Sequence, residues 1–299
     1  NTTLENNTKP ENEKIEAVSQ MFQFVKVLGA GINGITISLI YKNRLYAVKF
    51  MLFSQDVVNE TNVICTINKL RNSCHIFNET HGWLVCDRIP RIWVDYMLSH
   101  EYDTEPAVLN HIKKKRKFMV VFMEQNQFGF TGIDMTTRDW VKALFLLLHG
   151  ISVARQNFPN FRHRDIHDGN IMFQLNNGSV PLIVDAFKIS HCTRIPKLID
   201  FGYSQLQTNV WQKDDKDEWS KSFFDAENTR FKARNDLIRI QQLFIKHSKS
   251  SNLKKFLNSK TFMPLLESEA TPQDIQNVLY DPFFRQYGIY SLDEKIPKQ

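Results

Sequence analysis

At 299 residues and 42% hydrophobic, the chain is long enough to bury a sizeable core, as one large domain or as two lobes around a shared cleft, which excludes a disordered chain. No run approaches the roughly 18 consecutive apolar residues of a bilayer span, and the opening "NTTLENNTKPENEKIE" is polar and acidic, so neither a membrane anchor nor a signal peptide is expected. The net charge of +6 favours anionic partners, namely nucleotide, nucleic acid or an acidic protein surface.

Residues 1–18 lack hydrophobic periodicity and are predicted to form a flexible tail. Sheet structure is predicted from "MFQFVKVLGAGINGITISLIYKNRLYAVKFML", where β-type runs are broken by Gly and Asn and turn at Lys42 to Arg44. "DVVNETNVICTINKLRN" then spaces Val58, Ile64, Ile67 and Leu70 for a helix. "WLVCDRIPRIWVDYML" and "KFMVVFMEQ" return to strand-like composition. The basic cluster "IKKKRKF" at 112–118 is predicted to be a solvated hairpin tip feeding a buried strand, with nucleic-acid contact as the alternative. A boundary is expected near Glu124 to Gly129, because "TTRDWVKALFLLLHGISVARQNF" beyond it is a long apolar helix opened by Thr136, Thr137 and Asp139. Two strand-like runs, "IMFQL" and "PKLIDFG", follow with an irregular segment between them, and the rest is predicted mainly helical. The four cysteines, Cys65, Cys74, Cys86 and Cys192, include no C-x-x-C pair. Neither a zinc site nor a disulfide framework is expected, and reduced thiols fit a cytoplasmic or nuclear setting.

Chemistry-bearing residues fall at five places. "LGAGINGIT" sets Gly29, Gly31 and Gly34 in G-x-G-x-x-G spacing, where missing side chains let a backbone turn approach phosphate oxygens. A dinucleotide-binding unit would need a helix opening at these glycines; the β-branched run that follows predicts a hairpin instead. "YAVKF" puts Lys49 on an otherwise apolar strand, and a buried ammonium requires an anion, which Glu60 on the next helix and nucleotide phosphates could both supply. Asp165 and Asn170 in "FRHRDIHDGNIMF", with Asp200 in "LIDFGYS", offer the oxygen ligands that Mg²⁺ prefers and leave one aspartate to position a hydroxyl.

Glycine loop, strand lysine, helix glutamate, "HRD" with its asparagine, then "DFG" occur in the order found in eukaryotic-type protein kinases, which the chain resembles from about Phe24 to Phe284. The resemblance implies an α+β, bilobal fold with a β-rich N-lobe over 19–125 and a larger helical C-lobe over 126–299. It further implies that Leu28, Gly29, Gly31 and Gly34 cover ATP, that Ala47 touches adenine, that Met123 is the gatekeeper and that Glu124 offers a hinge carbonyl. Lys49 would contact the α- and β-phosphates and pair with Glu60. Asp165 would orient and deprotonate the acceptor hydroxyl, and Asn170 and Asp200 would hold Mg²⁺.

His167 stands where typical serine/threonine kinases carry the lysine that neutralises the transferring phosphate. "D-x-H-x-x-N" is also the loop of aminoglycoside and choline phosphotransferases, the competing enzyme class; Arg164 and the full glycine triplet favour protein kinases. Haspin-like kinases combine "HRD" with this histidine, carry an insertion after the loop and lack "APE". This chain shares all three features, the insertion being "QLNNGSVPLIVDAFKISHCTRIP", but keeps "DFG". The resemblance therefore implies a divergent haspin-like serine/threonine kinase, monomeric, acting on an acidic or chromatin-associated protein. Its compactness also suits a large DNA virus, with a place in the host cytoplasm or virion. The ending "EATPQDIQNVLYDPFF" has Glu267 and Glu269 where an arginine normally precedes the closing helix, so the segment after Asp200 is expected to be rebuilt. A pseudokinase would require a missing essential residue, and none is missing.

Overall fold

The computed structural model describes residues 11–31, 34–99, 106–113, 117–131, 133–204, 206, 234–267 and 270–292. The architecture is mixed α+β, with antiparallel sheet dominating the first part and helices the later part. The chain divides into two compact units, Asn1–Asn62 with Glu79–Gln125, and Val63–Asn78 with Asn126–Gln299. Val63–Asn78 thus leaves the block predicted to run unbroken over 19–125, because Ile64, Ile67, Leu70, Ile76 and Phe77 are buried in the second unit's core.

In the first unit, α1 (Glu11–Met21) precedes β1 (Gln23–Ala30), β2 (Gly34–Tyr41) and β3 (Arg44–Leu52), followed by α2 (Gln55–Asn68), whose residues from Val63 onward count with the second unit. Then come β4 (Thr80–Cys86), α3 (Arg91–Ser99), α4 (Pro106–Lys113) and β5 (Phe118–Glu124). The strands form one antiparallel sheet of order β1-β2-β3-β5-β4. Lys42 and Asn43, at φ 47° and 61°, make the two-residue turn between β2 and β3 in the positive-φ conformation that matches the right-handed twist of the strands they join. Strand alternation gives the sheet two faces. One buries Ile35, Ile37, Leu39, Val48, Phe50 and Val120 against Ile15 of α1, Trp93 and Met97 of α3, and Val108 of α4. The other sets Met51, Met119 and Val121 against Val57 of α2.

Three predictions in this unit are corrected. Helix α1 occupies Glu11–Met21, beginning within the predicted tail and running past its end. Ile15 and Ser19 are both fully buried, but one apolar and one polar position leave no apolar periodicity to read. The predicted strand through Pro90 stops at Cys86; Pro90 cannot donate to a ladder, and its carbonyl instead accepts the first helical bonds of α3 from Trp93 and Val94, both at 3.1 Å. The described part of the basic cluster leads from a helix, not from a strand, into the buried strand β5 at Phe118. Lys113 lies in the last turn of α4, where a cation offsets the helix dipole, and residues 114–116 lie outside the described residues.

The second unit is built on α5 (Thr137–Asn157), buried continuously from Trp140 to Arg155, which is why its sequence is apolar on every face apart from Lys142, His149, Ser152 and Arg155. Thr136 caps it in a capping box with Asp139. Around α5 lie β6 (Phe128–Gly129), β7 (Ile171–Leu175), β8 (Leu182–Val184), β9 (Phe187–Ile189) and β10 (Arg194–Leu198). The helices α6 (Arg234–His247), α7 (Ser251–Leu257), α8 (Pro264–Glu267), α9 (Pro272–Leu279) and α10 (Pro282–Arg285) follow, then β11 (Ile289–Ser291). Strands β10, β7 and β6 form one sheet and β11, β9 and β8 another. The segment predicted irregular between "IMFQL" and "PKLIDFG" therefore contains an ordered hairpin, β8–β9, and its third strand comes from an ending predicted mainly helical. Strands of three residues are too short for alternation to show. No described helix is long and apolar enough to cross a membrane.

Candidate functional site

In the first unit, the Gly31 N–H donates to the Gly34 carbonyl at 2.9 Å, so the glycines join β1 to β2 and no helix opens there. A Cβ added at Gly29 or Gly31 would meet nothing within 4 Å, which leaves that backbone open to a ligand. Gly34 is a different case: its Cβ would press into the carbonyl oxygen of Phe50 and come 3.1 Å from the Cα of Met51, so β3 itself requires this glycine. Leu28 precedes the turn on β1 and is 40% exposed.

Register aligns Thr36 with Lys49 and Val121, and Ser38 with Ala47 and Met123, so Ala47, Lys49 and Met123 share the face that packs against α2. Lys49 Nζ lies 2.8 Å from Glu60 Oε1 of α2, the two side chains 17% and 8% exposed. A lysine this buried needs a carboxylate to remain charged there. Glu124 ends β5, its N–H donating to Glu79 O at 2.8 Å.

In the second unit, the loop from His163 to Asn170 is shaped by main-chain bonds. Both carboxylate oxygens of Asp236, a buried residue in the first turn of α6, accept backbone N–H groups, from His163 at 2.9 Å and from Arg164 at 3.0 Å. Arg164 has φ 69°, a left-handed conformation that a side chain adopts only when its surroundings impose it. Arg155 lies 3.8 Å from the same carboxylate, and Ser204 Oγ donates to His163 O at 3.1 Å. His163 Nε2 bonds Ile199 O at 3.0 Å; a carbonyl only accepts, so Nε2 carries the proton. Burial pushes His163 below the ordinary imidazole range, keeping it neutral, and its ring packs at a tilt against Phe201, the centroids 4.9 Å apart.

Within this frame the Asn170 amide donates twice to Asp165, to its backbone carbonyl and to Oδ2, each at 2.9 Å. Asp165 Oδ1 and Asn170 Oδ1 are thereby left without hydrogen bonds among the described residues. The Ile199 N–H bonds Asn170 O at 3.1 Å, which brings the neighbouring Asp200, itself at φ 60°, beside the loop. The His167 imidazole folds back so that the Gly169 N–H donates to Nδ1 at 3.0 Å while Nε2 lies 3.7 Å from Asp165 Oδ2. With Nδ1 accepting, the neutral ring presents Nε2–H toward Asp165. Gly169 makes this possible, since a Cβ there would lie 2.8 Å from His167 Cε1. Asp168 is tied to α6 by Lys246 at 3.3 Å, which holds its carboxyl below the usual range.

Asn170 Oδ1 and the Asp200 carboxylate are of the oxygen-donor type that Mg²⁺ takes, a hard cation that completes its shell with phosphates and water. No group of three or more His, Cys, Asp or Glu side chains among the described residues could hold a metal ion unaided. Cysteine chemistry is excluded at Cys74 and Cys192, whose thiols burial pushes up to about 12 and about 11.

Sequence reasoning missed Asp236, Ser204 and Gly169. The first two act through backbone groups distant in sequence, and only an acid near the start of the helical run "RNDLIRIQQLF" signals Asp236. Glu267 ends α8; Glu269 and residues 207–233 lie outside the described residues. Neither protein-family models nor curated proteins yield a match to this chain.

Proposed function

We propose that the chain is an ATP- and Mg²⁺-dependent protein kinase of divergent haspin-like type, with a bilobal fold, that phosphorylates serine or threonine hydroxyls. The observation that carries the proposal is the Asp165–Asn170 pair. One amide fixes the Asp165 carboxylate through Oδ2, so that Asp165 Oδ1 would be left for an acceptor hydroxyl and Asn170 Oδ1 for a cation. Phosphoryl transfer asks a protein for little beyond positioning and charge neutralisation. Bound ATP with Mg²⁺ would supply the transferable phosphoryl group. Lys49, braced by Glu60, would meet the α- and β-phosphates, the turn from Gly29 to Gly34 would cover them, and Ala47, Met123 and Glu124 would receive adenine. Asn170 and Asp200 would hold the cation. Asp165 Oδ1 would take the proton of the acceptor hydroxyl while His167 Nε2–H donates to the transferred phosphate.

Arg164 and the three glycines favour a protein acceptor over an aminoglycoside- or choline-type one. The deciding experiment incubates the purified chain with labelled ATP and Mg²⁺ and supplies either mixed proteins or small alcohols and aminoglycosides. Label is expected on protein serine or threonine. Label on the small acceptors alone would assign the chain to the competing class, and ATP binding without transfer would assign it to pseudokinases.

A further inference from the structure

The glycine turn has a partner that the proposed chemistry does not use. His111 lies on α4 beside Val108 and Ile112, on the helical face that packs against β2, and it is 1% exposed. Its Nε2 lies 2.5 Å from the backbone oxygen of Gly31, the middle glycine of the turn. A carbonyl cannot donate, so Nε2 carries the proton and His111 is the donor. The ring's Nδ1 is buried with no hydrogen-bond partner among the described residues. A buried polar atom without a partner is unfavourable, and a leucine or methionine would fill the same space without orphaning a nitrogen. What the histidine adds is the bond to Gly31. That residue has then both main-chain groups engaged, its N–H by Gly34 and its carbonyl by His111, although no side chain packs where its Cβ would be.

We infer that His111 is a positioning residue for nucleotide binding, holding the Gly31 backbone so that this end of the glycine segment is already fixed when phosphates arrive. The inference rests on the kinase reading. A turn ordered in advance spares the binding step the cost of ordering it, so the effect belongs to ATP affinity. His111 touches no reacting atom, so the chemical step is spared.

The test compares wild type with His111→Gln, which keeps an N–H donor, and His111→Met, which fills the space without one. Two measurements are made: titration with a fluorescent ATP analogue alongside KM and kcat, and amide hydrogen exchange of a peptide spanning residues 28–36 in the nucleotide-free protein. His111→Met should raise Kd and KM for ATP roughly tenfold, the size of one lost hydrogen bond. It should also speed exchange at the turn by at least about fivefold and leave kcat within about threefold. His111→Gln should return both readouts to within about threefold of wild type. If the methionine variant does not fold, His111→Asn, whose amide is too short to reach Gly31, takes its place. Wild type that binds no ATP would overturn the kinase reading together with this inference. Wild type that binds ATP while all variants share its Kd and exchange rate would overturn this inference alone.

Discussion

Asp165 has Oδ2 engaged by Asn170, and under the proposed function its Oδ1 would serve the acceptor. In Asp165→Asn the side chain keeps its shape and loses its basicity. Transfer should fall roughly a hundred- to ten-thousandfold while ATP affinity stays within about threefold, as single-turnover transfer and a nucleotide titration would show. His167→Ala should slow transfer roughly tenfold, the loss of one charge-assisted contact. Gly169→Ala should act in the same direction without touching any ligand, because its Cβ would lie 2.8 Å from the imidazole and push it off Asp165. Wild-type rates in both variants would reduce His167 to a hydrogen-bonding element of the loop. Asp165, His167 and Asn170 were legible in the sequence because their chemistry depends on side-chain type at short, fixed spacing. Asp236 was not, because it works through two backbone N–H groups, one of them 73 residues away, and such bonds leave no pattern of residue types.

Among the elements, the glycine turn separates two requirements that the G-x-G-x-x-G spacing presents as one. Gly34→Ala should lower stability by about 1–3 kcal/mol, the cost of overpacking, since its Cβ would have to displace the Phe50 carbonyl and with it the β2–β3 register. Gly29→Ala, with open space around it, should melt within a few degrees of wild type, so any effect it has should be on ATP affinity. Thermal melts of the two variants check this, and equal melting temperatures would remove the distinction. The hairpins β1–β2 and β2–β3, helix α2 and helix α5 were legible because their periodicity is long or their punctuation strong, as at Lys42–Asn43 and Thr136. Helix α3 was misread because "RIWVDYML" is as β-branched and aromatic as a strand; only the four-residue spacing of Trp93 and Met97, both buried, marks it as a helix. The β8–β9 hairpin and β11 escaped because three residues hold no period, and their partnership is set by pairing across the chain.

At the scale of the molecule, stability should depend on pH through histidines that the fold keeps neutral. His163 and His149 are both buried in the second unit, and burial lowers the affinity of each for a proton below the ordinary value of 6.5. His163 is fixed by Ile199 O and Asp236 lies close to it; His149 bonds Asp185 Oδ2 at 2.7 Å, a contact that opposes the shift without reversing it. Below pH 6.5 the unfolded chain binds protons at these positions and the folded chain does not. Stability therefore rises with pH across that window and is lost as pH falls. The carboxylates of Asp168 and Asp274 contribute elsewhere: hydrogen bonds hold both below their ordinary 3.8, so the stability they add is present above pH 3.8 and disappears only in stronger acid. Between pH 7.5 and 5.5 the histidines should dominate, each removing at most about 1.4 kcal/mol at the lower pH, one unit below the unfolded value. Urea unfolding at pH 7.5, 6.5 and 5.5 measures this directly. The double variant His163→Gln with His149→Gln keeps a donor at both positions and cannot titrate, so it should be less stable at pH 7.5 yet clearly flatter toward pH 5.5. A wild-type unfolding free energy that does not change over this range would show that both rings take up their protons in the folded state as readily as in the unfolded one.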